Sequence, residues 1–599
     1  MCWIMKLILI LNLFLVYHPS LIKADEPLDW WQTGVFYQIY PRSFKDSDGD
    51  GVGDLNGITE KVDYLKHLGI TAVWLSPIFK SPMADFGYDI SDYRNIEPLF
   101  GTLDDFEKLK NTLHLHGMKL ILDFVPNHSS DEHEWFQNSV KNITPYRDYY
   151  VWKDGRFIDG VRHPPNNWVS QFGGAAWTWN DQRQQYYLHQ FHYKQPDLNY
   201  RNPLVVEEMK EILRFWLNKG VDGFRMDAVF TIFEDDRFLD EPRSFKPGYL
   251  PTDFDYYDHK YMLDQPETFD MIYQFRELLN AHTGTRFMAT EAYSPISDVM
   301  KYYGNTTHNG AHFPFNFLFI TDLNRQSDAS DFEKVIKLWY SNMPLGKWAN
   351  WVVGNHDQHR VASRYGRELV DGIHMIQFLL PGTVITYMGD ELALENTFIR
   401  WDETIDPPGL NAGKDRYLKF SRDPERAPFL WDSSVSAGFS TNKDTWLPVH
   451  PGYWHFNFQK QLAESKSHFK IYRKLVGLTK HKVLMYGELA IIIPSDWVIM
   501  IVRTYEDSFF LTIVNLGSRF ETLDLRKSIA LPASKLMVYV SSMNSIYQDG
   551  DMVPFEEVHL RPKAGILTQN VCMQRPSMTK CSISLAASYE SETLCLCVV

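Results

Sequence analysis

The chain reads as an α/β protein built on a (β/α)8 TIM barrel, with an inserted subdomain after the third strand and a C-terminal β-sandwich domain. Three observations carry this reading. Short β-branched and aromatic runs alternate with helical patterns through most of the chain, the signature of parallel βα units. Eight such runs can be found, enough to close a barrel. Beyond about residue 480 the helical pattern gives way to short strands. At 599 residues the chain is too long for one simple core and long enough to enclose a large site.

Taken in order, residues 1–24 read as a secretory signal that implies an extracellular product. Lys6 precedes the apolar run 7–16, and Ala24 stands before the polar start Asp25-Glu26-Pro27. That run is about ten residues, short of the roughly 20 that span a bilayer. No later segment is long and apolar enough to span. The barrel occupies 25–127 and 197–480, with strands expected at 35–40, 72–77, 119–125, 223–229, 287–292, 312–317, 351–355 and 383–388. After the first strand, Ile58, Val62, Leu65 and Leu68 keep a helical period that stops at Gly69. Residues 128–196, rich in Trp, Gly, Pro and Asn, read as the subdomain overhanging the barrel mouth. The C-terminal domain covers 481–567, with strands at 489–493, 498–502 and 509–514. The Ser/Thr-rich tail 568–599 is expected to lie outside the fold.

Composition excludes some functions. A formal charge of −15, from 60 basic and 75 acidic residues with no long Lys/Arg run, argues against nucleic acid or an anionic membrane as partner. Aromatics make up 15% of the chain, which suits a protein that holds sugar rings, although large cores use aromatics too. Cys2 lies in the signal, and Cys572, Cys581, Cys595 and Cys597 lie in the tail, so the body must be held by packing or metal. Asn142 and Asn305 open N-glycosylation sequons, and a third at Asn127 is expected to be buried. No organic cofactor is implied. Oligomeric state is not legible.

Polar residues recur at the C-terminal ends of the expected strands: Asp123 and His128 after the third, Arg225 and Asp227 on the fourth, Glu291 on the fifth, His356 and Asp357 after the seventh. In a barrel these ends meet at one mouth. A single Asp there could cap the next helix. Several acids, two His and an Arg together are not explained by capping.

The strings "DFVPNH" at 123–128, "GFRMDAVF" at 223–230, "ATEAY" at 289–293 and "VGNHDQHR" at 353–360 resemble the four signature regions of the α-amylase superfamily, glycoside hydrolase family 13. "GVFYQIYPRSF" at 34–44, "QPDLNY" at 195–200 and "SRDPERAPFLWD" at 421–432 are similar to the α-glucosidase and oligo-1,6-glucosidase branch, in its insect maltase-like form. The resemblance runs in order over about residues 29 to 567. It implies an exo-acting, retaining α-glucosidase acting on small oligosaccharides: maltose, short malto-oligosaccharides and sucrose. Asp227 would be the nucleophile, Glu291 the general acid/base and Asp357 the transition-state-stabilising carboxylate. Such a pair needs one ionised and one protonated carboxyl. Arg225 is expected to lower the pKa of Asp227, and neighbouring negative charge to raise that of Glu291. His128 and His356 match positions that bond glucose hydroxyls, and Asp89 with Arg422 resembles the pair that closes the far end of the pocket. Phe172 and Phe191 are candidates to stack on sugar, and Asp123 reads as a supporting carboxylate. Ala228, after the nucleophile, implies α-1,4 over α-1,6 preference.

The segment 46–57, "DSDGDGVGDLNG", offers Asp46, Asp48, Asp50 and Asp54 as carboxylates and Val52 as a carbonyl, with Gly51 at the turn. That is the rhythm of an EF-hand-like loop, except that Gly57 stands where the bidentate Glu would be. Members of the resembling branch carry Ca2+ here, so a structural Ca2+ is expected, with Mg2+ as the alternative. Two enzyme alternatives remain, an oligo-1,6-glucosidase and a transglycosylating sucrase. The alternative of another class is a non-catalytic binding protein like the amino-acid-transporter heavy chains, which share the barrel.

Overall fold

The computed structural model describes residues 27–529 and 535–570. The signal, all five cysteines and the chain beyond Asn570 lie outside the described residues. The eight barrel strands are β1 (Val35–Ile39), β2 (Ala72–Leu75), β3 (Lys119–Phe124), β4 (Gly223–Met226), β5 (Phe287–Thr290), β6 (Phe313–Pro314), β7 (Asn350–Val352) and β8 (Thr383–Tyr387). They form one sheet in the order β6-β5-β4-β3-β2-β1-β8-β7, with every pair parallel. All five residues of β1 and of β8 are buried, as a sheet covered on both faces requires.

The seam between β6 and β7 shows how sequence shapes closure. Pro314 has no N–H and cannot take a full place in a ladder. The Asn350 side chain bridges instead, donating from Nδ2 to the Pro314 carbonyl at 2.7 Å and accepting from the Asn316 N–H at 2.9 Å. The helical period after β1 resolves into two helices, Leu55–Glu60 and Val62–Leu68, broken at Lys61. Ile58, Val62, Leu65 and Leu68 are all buried, and Gly69 ends the second helix with φ of 89°.

The insertion after β3 carries the helix Glu134–Val140 and a three-stranded sheet of Trp152–Lys153, Gln185–Leu188 and Trp177–Asn180. It has a small core of its own, with Val151, Trp168, Trp177 and Leu188 packed on Met262 from the segment after β4. Its entry and exit are zipped together, because Leu198 donates its N–H to the Asn127 carbonyl at 2.9 Å beside a bridge between His128 and Asp197.

The C-terminal domain is a six-stranded antiparallel sheet of β9 (Glu488–Ser495), β10 (Val498–Tyr505), β11 (Ser508–Asn515), β12 (Lys535–Ser541), β13 (Met552–Pro554) and β14 (Gly565–Asn570), in the order β9-β10-β11-β14-β12-β13. A two-stranded pair, Glu521–Leu523 with Val558–Leu560, shares its core. The sheet is keyed to the barrel by the buried Arg503, which donates to the Leu379 carbonyl at 2.9 Å. One expected boundary is corrected. Thr568, Gln569 and Asn570, assigned to the tail, belong to β14, where Thr568 is fully buried and its hydroxyl donates to the Leu511 carbonyl at 3.0 Å. Their polar character misled, because it is the backbone of these residues that pairs with β11 and β12.

Candidate active site

The barrel ladder runs one residue past the strand ends and fixes the two central acids. Asp227 donates its N–H to the Phe124 carbonyl at 2.8 Å, and Glu291 donates its own to the Met226 carbonyl at 2.9 Å. In register, Arg225 on β4 sits opposite Asp123 on β3 and Ala289 on β5. Its guanidinium thereby reaches three carboxylates: Asp123 at 2.8 Å, Glu291 at 2.7 Å and Asp227. Glu291 Oε2 also accepts the Ala228 N–H at 3.0 Å. That N–H points at Glu291 from a left-handed backbone, with Ala228 at φ 41° and ψ 41°.

Asp357 anchors the opposite wall. Its carboxylate meets Arg426 at 2.8 Å, Arg422 at 3.3 Å and His356 Nε2 at 3.3 Å. Arg422 then reaches Asp406 at 2.7 Å and Asp85 at 2.9 Å. The expected partner of Arg422, Asp89, is corrected to Asp85. Asp89 is fully buried and its carboxylate accepts from the Ser81 hydroxyl and the N–H groups of Ala84 and Asp85, so it holds the loop that presents Asp85. Both acids lie in one string, "DFGYD", and spacing alone does not say which faces the cavity.

A cavity of about 530 Å³ is lined by Asp227, Glu291, Asp357, Asp85, Arg422, His128 and the rings of Tyr88, Phe172, Phe191 and Tyr293, among others. His128 faces Gln195 at 3.1 Å and Asn127 at 3.2 Å. His356 does not line the cavity. Its Nδ1 meets the Gln38 amide at 2.8 Å and its Nε2 meets the Tyr88 hydroxyl at 2.5 Å, between the stacked rings of Tyr40 and Tyr88. With Gln38 Nε2 as donor the ring proton is on Nε2, aimed at Tyr88 and Asp357. Arg225, expected among the substrate-binding groups, is likewise behind the cavity wall and acts by holding carboxylates. Sequence reasoning missed Asp85, Tyr88, Asp406 and Arg426. Arg426 lies inside the string at 421–432, and Tyr88 and Asp85 stand one and four residues before Asp89, so these three were legible; Asp406 lies in no string singled out.

Electrostatics separates the acids into two classes. Burial raises the pKa of Asp227 well above the carboxylate range, and Arg225 only partly opposes it. The expectation that Arg225 would leave Asp227 depressed is therefore corrected: one guanidinium is shared by three buried carboxylates. Glu291 is raised as well, chiefly by burial and then by the Asp357 charge against the pull of Arg225. Asp123 is pushed up by burial to about 6. The Glu291 charge adds to the rise of Asp227, so the two acids titrate as a pair that retains a proton. Asp357 runs the other way. Burial opposes its ionisation, but His356, Arg426 and Arg422 outweigh it and hold the carboxyl well below the usual range.

The acidic loop is narrower than expected. Oxygens of Asp46, Asp48 and Asp50 lie within 4.8 Å of one another. Asp54 is corrected out of that cluster, because its carboxylate caps the following helix through the Gly57 N–H at 2.7 Å and accepts the Ser47 N–H at 2.7 Å. Val52 meets the cluster through its N–H, which donates to Asp50 at 2.7 Å. Asn142 and Asn305 are exposed and Asn127 is buried.

Residues 38–487 match the model of the alpha amylase catalytic domain. Maltase A1 of Drosophila melanogaster is 48% identical over 552 residues, covering 90% of this chain and 96% of that protein. An amino acid transporter heavy chain of Rattus norvegicus is 37% identical, covering 95% of this chain and 84% of that one. Among solved structures, an alpha-glucosyl transfer enzyme superposes with a TM-score of 0.79 at 33% identity, over 91% of this chain and 100% of that chain. With its signature carboxylates gathered at the barrel mouth, the chain belongs to the α-amylase catalytic-domain family.

Proposed function

We propose that this protein is an exo-acting, retaining α-glucosidase that releases terminal α-1,4-linked glucose from maltose, short malto-oligosaccharides and sucrose. The observation that carries the reading is one cavity that holds the Asp227–Glu291 pair and is walled by Asp85, Arg422 and Asp357. Retaining glycosidases hold the two carboxyls about 5–5.5 Å apart, against roughly 6.5–9.5 Å in inverting ones. Two acids that meet one guanidinium, on its Nη1 and its Nη2, fit the close class.

In the first step ionised Asp227 attacks C1 while Glu291 gives its proton to the departing glycosidic oxygen, leaving a glucosyl ester on Asp227. Water then attacks C1, Glu291 takes its proton, and the ester bond breaks to free glucose and Asp227. Asp357, kept anionic by two Arg and His356, stabilises the positive charge that develops on the sugar ring. Salivary α-glucosidases of Anopheles gambiae and Aedes aegypti, 45% and 43% identical, support a secreted enzyme. A divalent cation, calcium or magnesium, is proposed for Asp46, Asp48 and Asp50. The charges of Asp48 and Asp46 add to burial in raising the pKa of Asp50, a repulsion that a cation would relieve, while hydrogen bonds from Ser440 and backbone N–H groups outweigh burial and hold Asp46 down.

Release of p-nitrophenol from its α-glucoside, followed by product analysis with maltose, sucrose, isomaltose and starch, tests the reading. A folded sample without release would favour the transporter-like, non-catalytic alternative. For linkage, Ala228 lines the cavity beside Glu291. Ala228→Val is expected to lower the maltose-to-isomaltose ratio of kcat/KM by about tenfold, the lower end of what a methylene or two shifts in a pocket. It should also cost stability, because a β-branched residue is strained at positive φ. An unmoved ratio would remove the linkage role from this residue.

A further inference from the structure

A groove of about 720 Å³ is built by residues 402–405 and 435–454, after β8, and shares no lining residue with the catalytic cavity. It backs onto the wall that closes that cavity. Ile405 lines the groove, while the next residue, Asp406, is buried and pairs with Arg422. Trp446 lines it as well, and the inner side of that ring lies 6.0 Å from Tyr40, which stacks on His356.

The groove presents aromatic faces that are held in place at the surface. Trp454 is 54% exposed, with Val435 at 52% beside it in the lining. Tyr453 packs on the core and stacks with Trp454 at 4.5 Å, so the exposed indole stands on an anchored ring. The turn Pro451–Trp454 that carries both is fixed at several points. Gly452 donates its N–H to His450 Nδ1 at 3.0 Å, Asn457 donates to the Tyr453 carbonyl at 2.7 Å, and the Ser433 hydroxyl donates to the Trp454 carbonyl at 3.1 Å.

Charge along the groove narrows the ligand. Arg400 meets Asp402 and Glu403 at 3.1 Å each, which orients both carboxylates and leaves oxygens free to accept from hydroxyls. Lys443 and Asp444 also line the groove, so three carboxylates stand against one ammonium. Phosphorylated, sulfated or uronic ligands would be repelled. A second copy of the chain fits poorly, because a two-fold interface would set these acids near their own counterparts and interface cores are poor in charge. A neutral hexose chain suits the surface. Its apolar C–H face stacks on an indole, and its hydroxyls donate to carboxylates and accept from an ammonium.

We propose that this groove is a non-catalytic binding site for a neutral oligosaccharide, with Trp454 as the stacking face and Asp402, Glu403 and Lys443 as hydroxyl partners. It uses no residue of the catalytic cavity and does not depend on the α-glucosidase reading.

The test measures binding of two probes by calorimetry and by quenching of tryptophan fluorescence at millimolar sugar. One is cellohexaose, a β-linked chain. The other is maltoheptaose with an ethylidene bridge across two hydroxyls of its non-reducing glucose, which keeps that end out of the closed pocket at Asp85 and Arg422. At least one probe is expected to bind wild type, and which one binds assigns β- or α-linked chains as the source. Trp454→Ala should weaken that binding about tenfold, the order of one lost aromatic face, and Trp454→Phe should fall between. Melting temperature and turnover of p-nitrophenyl α-glucoside should be unchanged in both variants. Failure of both probes to bind folded wild type, or equal binding to Trp454→Ala, overturns the site. A wild-type dimer that Trp454→Ala splits into monomers in sedimentation would also overturn it, by making the groove an interface between copies.

Discussion

At the scale of single residues, the site works by dividing its carboxyls into a pair that keeps a proton and one that cannot hold it. Asp227→Asn and Glu291→Gln should each lower kcat by about 10³-fold or more, since each removes a covalent or proton-transfer role that binding cannot replace. Melting temperatures should stay near wild type. Because burial raises both members of the pair, the pH profile of kcat/KM should be a bell displaced upward from free carboxylates. Its acid limb marks protonation of the nucleophile, and its alkaline limb marks loss of the last proton of the pair. Asp357, shifted downward, contributes no limb near neutrality. An alkaline limb that persists in Glu291→Gln with an aryl glucoside needing no acid would remove Glu291 from that role. A second comparison separates two acids four residues apart. Asp85→Asn should raise KM for maltose by about tenfold or more by breaking a hydrogen-bonded charge pair with Arg422. Asp89→Asn acts on the loop and is expected to show mainly as lowered melting temperature. Equal effects on KM would undo the distinction.

At the scale of elements, the loop after β1 depends on a backbone that only glycine takes easily. Gly51 has φ of 94°, and a Cβ there would sit 2.4 Å from the Asp444 carbonyl oxygen. Its own carbonyl accepts the Trp446 N–H at 3.1 Å, which ties the loop to that distal segment. Gly51→Ala should destabilise by about 1–3 kcal/mol, the range for strained backbone, measured by denaturant unfolding. If Asp46, Asp48 and Asp50 hold a cation, excess EDTA should lower the wild-type melting temperature as well, because binding to the folded state alone adds stability. An unchanged melting temperature with no metal by elemental analysis would dismiss the cation.

At the scale of the whole molecule, β14 lies between β11 and β12, so the C-terminal sheet is completed by the last described strand. A chain ending at Leu567 removes half of that strand and exposes the ladder positions of Phe510 and Leu511. It should melt several degrees below a chain ending at Asn570. Equal melting of the two would show that the last three residues add nothing to the sheet.

The sequence by itself determined the βα rhythm, the insertion after the third strand, the C-terminal strands and the motif positions of Asp227, Glu291 and Asp357. These are local patterns, since apolar period and strand-end acids are written in consecutive residues. The tertiary structure alone decided which of Asp85 and Asp89 meets Arg422, because 337 residues separate Asp85 from its partner and loop geometry sets the facing side chain. It decided that His356 and Arg225 stand behind the cavity, and that Asp227 is raised although Arg225 touches it. Burial and the sharing of one charge among three carboxylates are sums over the folded neighbourhood, and no stretch of sequence contains them.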